Sequence, residues 1–242
     1  MSWSHFERRA DDYASARPPY PSVIFQVLRS ERVIGPGLRV LEVGAGAGLA
    51  TRELVASGSQ VVAVEPGRDL SELLEQAVPG AEILLSTLED VPLPSKAFDS
   101  VVAATAMHWV DLSVGLPKLR STLKPGGRLA VFRTIFGDET VQTPFRDRVN
   151  QIVATREPDG KATPPEPRPT MAELSADGHF QPARFGRWRW TVDLTTDQVT
   201  RLFSTFSDWT EEEVQAVRAA AEDCGGVVTE HYQSVLHVLT RA

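Results

Sequence analysis

Residues 41–51 read LEVGAGAGLAT: Glu42, then Gly44, Gly46 and Gly48 at every second position, with an apolar run before them and a helical pattern after. Glycine adopts backbone conformations that side chains forbid, and backbone N–H groups at a helix start favour a polar ligand. The pattern therefore reads as a binding loop whose spacing narrows the ligand. No GxxxxGK[ST] run is present to cradle phosphates, and counting Gly-x-Gly-x-x-Gly from Gly44 puts Leu49 where a dinucleotide loop needs its third glycine. A second acid, Glu65, ends the run QVVAVE at 60–65. His108, just past the run FDSVVAAT (98–105), can accept a proton from a hydroxyl or an amine; a histidine beside Met107 and Trp109 is also often a packing residue with a satisfied N–H. His5, His179, His231 and His237 show no metal-ligand spacing, so no metal site is expected. The lone Cys224 excludes an internal disulfide and paired thiolates.

The elements that must hold these residues alternate. Strand-like LRVLEV (38–43) precedes a helix at 49–57, and QVVAVE precedes a helix at 69–77. AEILL (81–85), FDSVVAAT, a helix from about 112 to 123 and GRLAVFRTI (127–135) follow. Such alternation is the sequence form of βαβ units and a parallel sheet covered by helices on both faces. Leu112, Leu116, Leu119 and Leu123 form one stripe on the 112–123 helix, with Pro117 inside it as a kink or a delayed start. Residues 137–183 include the proline-rich EPDGKATPPEPRP (157–169), expected to be a surface linker or a mobile cover over the site. Order returns with a strand at 183–194, a short helix in TTDQVTRLFSTF, a helix opened by a Thr210–Glu213 capping box and stopped at Gly225 and Gly226, and a last strand at 234–242. Trp209 and Val214 are placed to staple that second helix.

The 242 residues accommodate one α/β domain, and a formal net charge of -7 argues against a general nucleic-acid or anionic-membrane surface. The opening residues lack a signal-peptide pattern and no apolar stretch could span a bilayer, so a cytoplasmic protein without a membrane partner is expected, as a monomer or homodimer.

Taken in order, the motifs resemble those of the class I S-adenosylmethionine-dependent methyltransferases, specifically and in sequence over about residues 37–135 and weakly over 183–242. The resemblance implies a Rossmann-like seven-stranded, mostly parallel sheet with helices on both faces and a C-terminal antiparallel hairpin. It implies a single domain with a lead segment (1–30), a cofactor-binding core (31–136), a variable substrate cap (137–183) and the C-terminal part of the sheet (184–242). By it, S-adenosyl-L-methionine, leaving as S-adenosyl-L-homocysteine, lies on the loop of Gly44, Ala45, Gly46 and Gly48; Glu42 helps hold the amino-acid end; and Glu65, followed by Pro66, takes both ribose hydroxyls. A carboxylate suits that task because it accepts two hydrogen bonds at once. LSTLEDVPLP (85–94) lies along the adenine; the family often has an acid where Thr87 stands, so the contact falls more on Leu88 and Glu89. Ala104, His108 and Trp109 lie in the post-strand motif near the reactive sulfonium.

The segment FERRADDYASARPPYP (6–21) resembles the lead of a type-11-like subgroup. That implies Phe6, Tyr13, Arg17 and Tyr20 fold over the cleft, with Arg17 suited to a carboxylate of cofactor or acceptor. ATAMHW replaces the Asn/Asp-Pro-Pro-aromatic run of base-amino methyltransferases, Cys224 is misplaced for a cytosine C5 enzyme, and the acidic cluster of the metal-dependent catechol type is missing. A metal-independent enzyme acting on a small-molecule acceptor is the leading expectation, a carboxylate or a natural-product intermediate fitting best. A catalytically silent S-adenosylmethionine-binding scaffold is the second and an NAD(P)-dependent oxidoreductase the third.

Overall fold

The strands begin where β-branched and aliphatic residues run without interruption. Such runs suit a strand buried on both faces, and alternate with helices that keep one apolar stripe. A computed structural model describes residues 16–156, 169–206 and 208–242. Strands β1 (Arg39–Val43), β2 (Gln60–Glu65), β3 (Glu82–Leu85), β4 (Phe98–Ala104) and β5 (Leu123–Phe136) are parallel. Strands β6 (Phe180–Thr195) and β7 (Val227–Arg241) close the sheet antiparallel, giving the order β3-β2-β1-β4-β5-β7-β6. This is the expected α/β architecture with its C-terminal hairpin. The hairpin is longer than the sequence suggested, because β7 begins at Val227 rather than at 234 and pairs with β6 from Val227↔Thr195 to Arg241↔Phe180.

Helices cover both faces. On one, α1 (Ser22–Ser30) and α2 (Thr51–Ala56) bring Ile24, Leu28 and Leu54 against Val40, Val102 and Phe132. Helix α3 (Arg68–Ala77) seats Leu74 on Ala63. On the opposite face α4 (Leu112–Thr122) sets Leu116 and Leu119 on Val101 and Leu129. Of the expected leucine stripe, Leu116 and Leu119 are buried, Leu112 is partly buried and Leu123 opens β5 instead of ending the helix, which runs through Pro117. No helix among the described residues is long and apolar enough to cross a membrane.

The region 137–183 holds two helices that the sequence reading did not anticipate, α5 (Pro144–Ala154) and α6 (Met171–Ser175). Thr143 caps α5 and Pro144 opens it, while Phe145 and Val149 pack with α7 (Thr196–Ser204), α8 (Glu211–Asp223) and Tyr232 of β7 in a third core. Leu174 of α6 enters the main core. Most of the proline-rich stretch (157–168) lies outside the described residues. The Thr210–Glu213 capping box is present at α8, and Trp209 and Val214 share the third core.

Candidate active site

In parallel sheets the strand ends at the carboxyl edge turn toward loops, and the point where strand order reverses leaves a crevice between them. Here that point lies between β1 and β4, and a cavity of about 680 Å3 opens over the carboxyl ends of β1, β2, β4 and β5. Its size suits a small-molecule ligand.

One end is built by the glycine loop. Gly44, Gly46 and Gly48 all have positive φ (66°, 57° and 90°), a region that side chains disfavour. A Cβ on Gly44 would stand 2.6 Å from Ala106 Cβ, and one on Gly48 would stand 2.7 Å from Leu74. The N–H groups of Gly44 and Ala45 donate to the Val64 carbonyl (2.8 and 3.3 Å), which pins the loop to β2. Glu65 completes the clip: Oε2 accepts from Gly46 N–H at 2.8 Å and Oε1 from Gly67 N–H at 2.9 Å. A carboxylate on a loop N–H repels phosphate. The loop is therefore unsuited to a pyrophosphate, and Glu65 itself lines the cavity wall.

The wall continues with Pro66, Thr87, Leu88 and Glu89. Thr87 Oγ1 donates to Asp90 (2.8 Å) and accepts its N–H, so this side chain shapes its own turn; Glu89 accepts from Asp111 N–H at 3.1 Å. Glu42, Ala45, Gly48 and Ala104 stand behind the wall rather than on it. Glu42 is fully buried in β1, and at ordinary geometry neither of its oxygens nor Thr51 Oγ1 has a hydrogen-bond partner among the described residues. Burial pushes the Glu42 carboxyl up to about 8, against a smaller opposing pull from the nearby Thr51 hydroxyl and with a further push from Glu65.

At the other end, Thr105 follows β4 with a positive φ of 56°, a costly conformation for a β-branched residue. Tyr20 holds it, hydroxyl to hydroxyl at 2.8 Å, and its N–H donates to the Phe132 carbonyl at 2.7 Å. The bend aims the one-turn helix Met107–Trp109 across the cavity, so that His108 and Trp109 line it and Met107 fills the core. His108 faces the open space while the walls surround it. Their desolvation, then the charge of Arg133, hold its imidazole near 4, so it is neutral at pH 7 and able to accept a hydrogen bond.

Arg17 also lines this end, and its surroundings come from the C-terminal part of the chain. Its guanidinium lies between Phe136 (4.8 Å) and Phe206 (4.7 Å) and donates to Thr205 O at 3.4 Å. Phe6 and Tyr13 lie outside the described residues. Several lining residues had no motif to reveal them: Arg133, Phe136, Arg146, Phe203 and Phe206. The only signal available was their recurrence as Arg and Phe at strand and helix ends. Among the described residues no three His, Cys, Asp or Glu side chains gather as a metal site.

Residues 41–131 match the family described as "Methyltransferase domain". An uncharacterised methyltransferase of Mycobacterium bovis is 39% identical over 119 residues, which are 49% of this chain and 47% of that protein. The chain thus spans about half the length of the curated relatives it matches first. Among solved structures, a protein assigned as a type II methyltransferase of Anaeromyxobacter dehalogenans superposes with a TM-score of 0.60 at 22% identity, over 93% of this chain and 97% of that one. Geranyl diphosphate C-methyltransferase of Streptomyces coelicolor, solved with Mg2+, geranyl-S-thiolodiphosphate and S-adenosyl-L-homocysteine, does so with a TM-score of 0.52 at 19% identity, over 91% and 76%. At these identities the two structures speak for the fold.

Proposed function

We propose that this chain, whose core belongs to the class I S-adenosylmethionine-dependent methyltransferases, transfers a methyl group from that cofactor to a small-molecule acceptor without a metal ion. The observation that carries the reading is the glycine loop clipped by Glu65 at one end of a cavity whose other end holds His108, Trp109 and a set of aromatic and arginine side chains. Structural neighbours that hold this cofactor or its product support the choice of donor.

The residues fit the cofactor. The loop glycines bring bare main chain to the cavity wall in conformations that side chains disfavour, Glu65 stands beside them as an acceptor for ribose hydroxyls, and Leu88 and Glu89 flank the place for the adenine. When bound, the cofactor supplies a methyl group on a sulfonium. The chain's own part is alignment and exclusion of water, which can account for most of the acceleration in such a displacement. Trp109, Phe136 and Phe206 supply apolar wall, and neutral His108 accepts a hydrogen bond from the acceptor's hydroxyl or amine. A single domain capped by 137–183, cytoplasmic residence and action as a monomer or homodimer complete the proposal.

Isothermal titration of the full chain with S-adenosyl-L-homocysteine, followed by methyl transfer from S-adenosyl-L-methionine over a panel of acids, phenols and amines with EDTA present, tests it. Binding with turnover is expected. No binding sinks the reading; tight binding with silence across the panel favours a scaffold role.

A further inference from the structure

The end of the cavity that faces the acceptor has an uneven charge. Among the described residues lining it, Arg17, Arg133 and Arg146 are cations. The acid at that rim, Asp208, is mostly exposed and pairs with Arg156 at 3.3 Å. Arg146 is held by the buried Glu230 through a two-pronged ion pair. Glu65 and Glu89 belong to the other end, bound to backbone N–H groups.

Arg17 and Arg133 both line this end of the cavity. Residues 133–136 of β5 all line it, because the cavity caps the strand rather than lying along one face. The Arg17 guanidinium carbon lies 4.8 and 4.7 Å from the ring centroids of Phe136 and Phe206, and one terminal nitrogen donates to Thr205 O. A guanidinium held among aromatic rings is restrained in place while keeping its charge, which suits recognition of an oxyanion. Arg133 sits in a partly desolvated wall, where burial lowers its own pKa, and its field reaches His108. A cation in such a place gains most from an anion that enters with it.

We infer that the acceptor is itself an anion, anchored through a carboxylate or phosphate by Arg133 and Arg17, with a flat apolar body against Phe136, Phe206 and Trp109. The inference rests on the methyltransferase reading above and adds the acceptor's charge to it. Salt-sensitive, charge-selective binding follows from it.

The test is calorimetric, on the full chain loaded with S-adenosyl-L-homocysteine, using cinnamate against cinnamamide and phenyl phosphate against phenol. The acid of at least one pair should bind about ten-fold or more tightly than its neutral partner, and which pair does so separates carboxylate from phosphate. The preference should weaken with added salt, fall to about two-fold or less in Arg133→Gln and Arg17→Gln, and survive in part in Arg133→Lys, with S-adenosyl-L-homocysteine affinity unchanged in the two Arg133 variants. Equal affinity for acid and neutral partner, no binding by either anion, or full preference in both glutamine variants overturns the inference. Should a variant fail to fold by circular dichroism, the wild-type comparison still decides. Failure of S-adenosyl-L-homocysteine to bind strikes the methyltransferase reading instead, and the acid-against-neutral comparison on the unloaded chain still judges the arginines.

Discussion

Glu65 shows how one side chain can serve architecture and binding together. Its oxygens hold Gly46 and Gly67 by their N–H groups, so the acid proposed to receive the ribose also fixes the loop beneath it. Glu65→Ala should therefore weaken S-adenosyl-L-homocysteine binding by about 1–3 kcal/mol, and Glu65→Gln by less, since the amide keeps one acceptor for one of the two N–H groups. Gly46→Val should abolish binding, because a branched side chain at φ 57° strains the loop and fills the space over it. Titration calorimetry reads all three; unchanged affinity in Glu65→Ala would show that the acid only braces the loop. The sequence already held this pair, since glycine spacing and an acid at a strand end are local patterns. Arg133 was not legible there, because an arginine in a strand acquires meaning only from the cavity that caps its neighbours.

At the scale of elements, the parallel strands could be read because each is a short unbroken apolar run, and the observed bounds lie within a few residues of the expected ones. Helix α5 was overlooked beside the proline-rich stretch, although Thr143-Pro144 and the spacing of Phe145, Val149 and Ile152 are ordinary start and stripe signals. Its place depends on a contact no pattern could show: Arg146 in the first turn of α5 reaches the fully buried Glu230 of β7. Burial raises the Glu230 carboxyl, and Arg146 pulls it back in part. Arg146→Met removes the cation and leaves the acid buried, so it should cost about 3–5 kcal/mol in urea unfolding, while the double variant with Glu230→Leu should recover most of that. A single variant as stable as wild type would mean that α5 is anchored by Phe145 and Val149 alone.

For the molecule as a whole, the same burial that builds the cores makes stability depend on pH from both sides. On the acid side, His108 is held near 4 against 6.5 unfolded, so the unfolded chain takes up a proton the native state refuses, and stability falls as pH drops from about 6.5 toward 4. Asp138, buried but hydrogen-bonded by Thr140 and paired with Arg189, acts in the same direction lower down, since its native carboxyl lies below its usual value. Glu42 works the opposite way. Its native carboxyl is pushed up to about 8 from 4.5, so between those values the native state keeps a proton that the unfolded chain has released, and stability declines as pH rises. Together these place maximal stability in the weakly acidic range. Glu42→Gln preserves the shape of the neutral acid and removes the titration. Its melting temperature should match wild type near pH 5 and exceed it at pH 8.5, flattening the alkaline decline. Parallel melting curves for the two proteins from pH 5 to 8.5 would mean that Glu42 is ionised in the folded chain and that the space behind the glycine loop is wetter or better supplied with donors than its packing indicates.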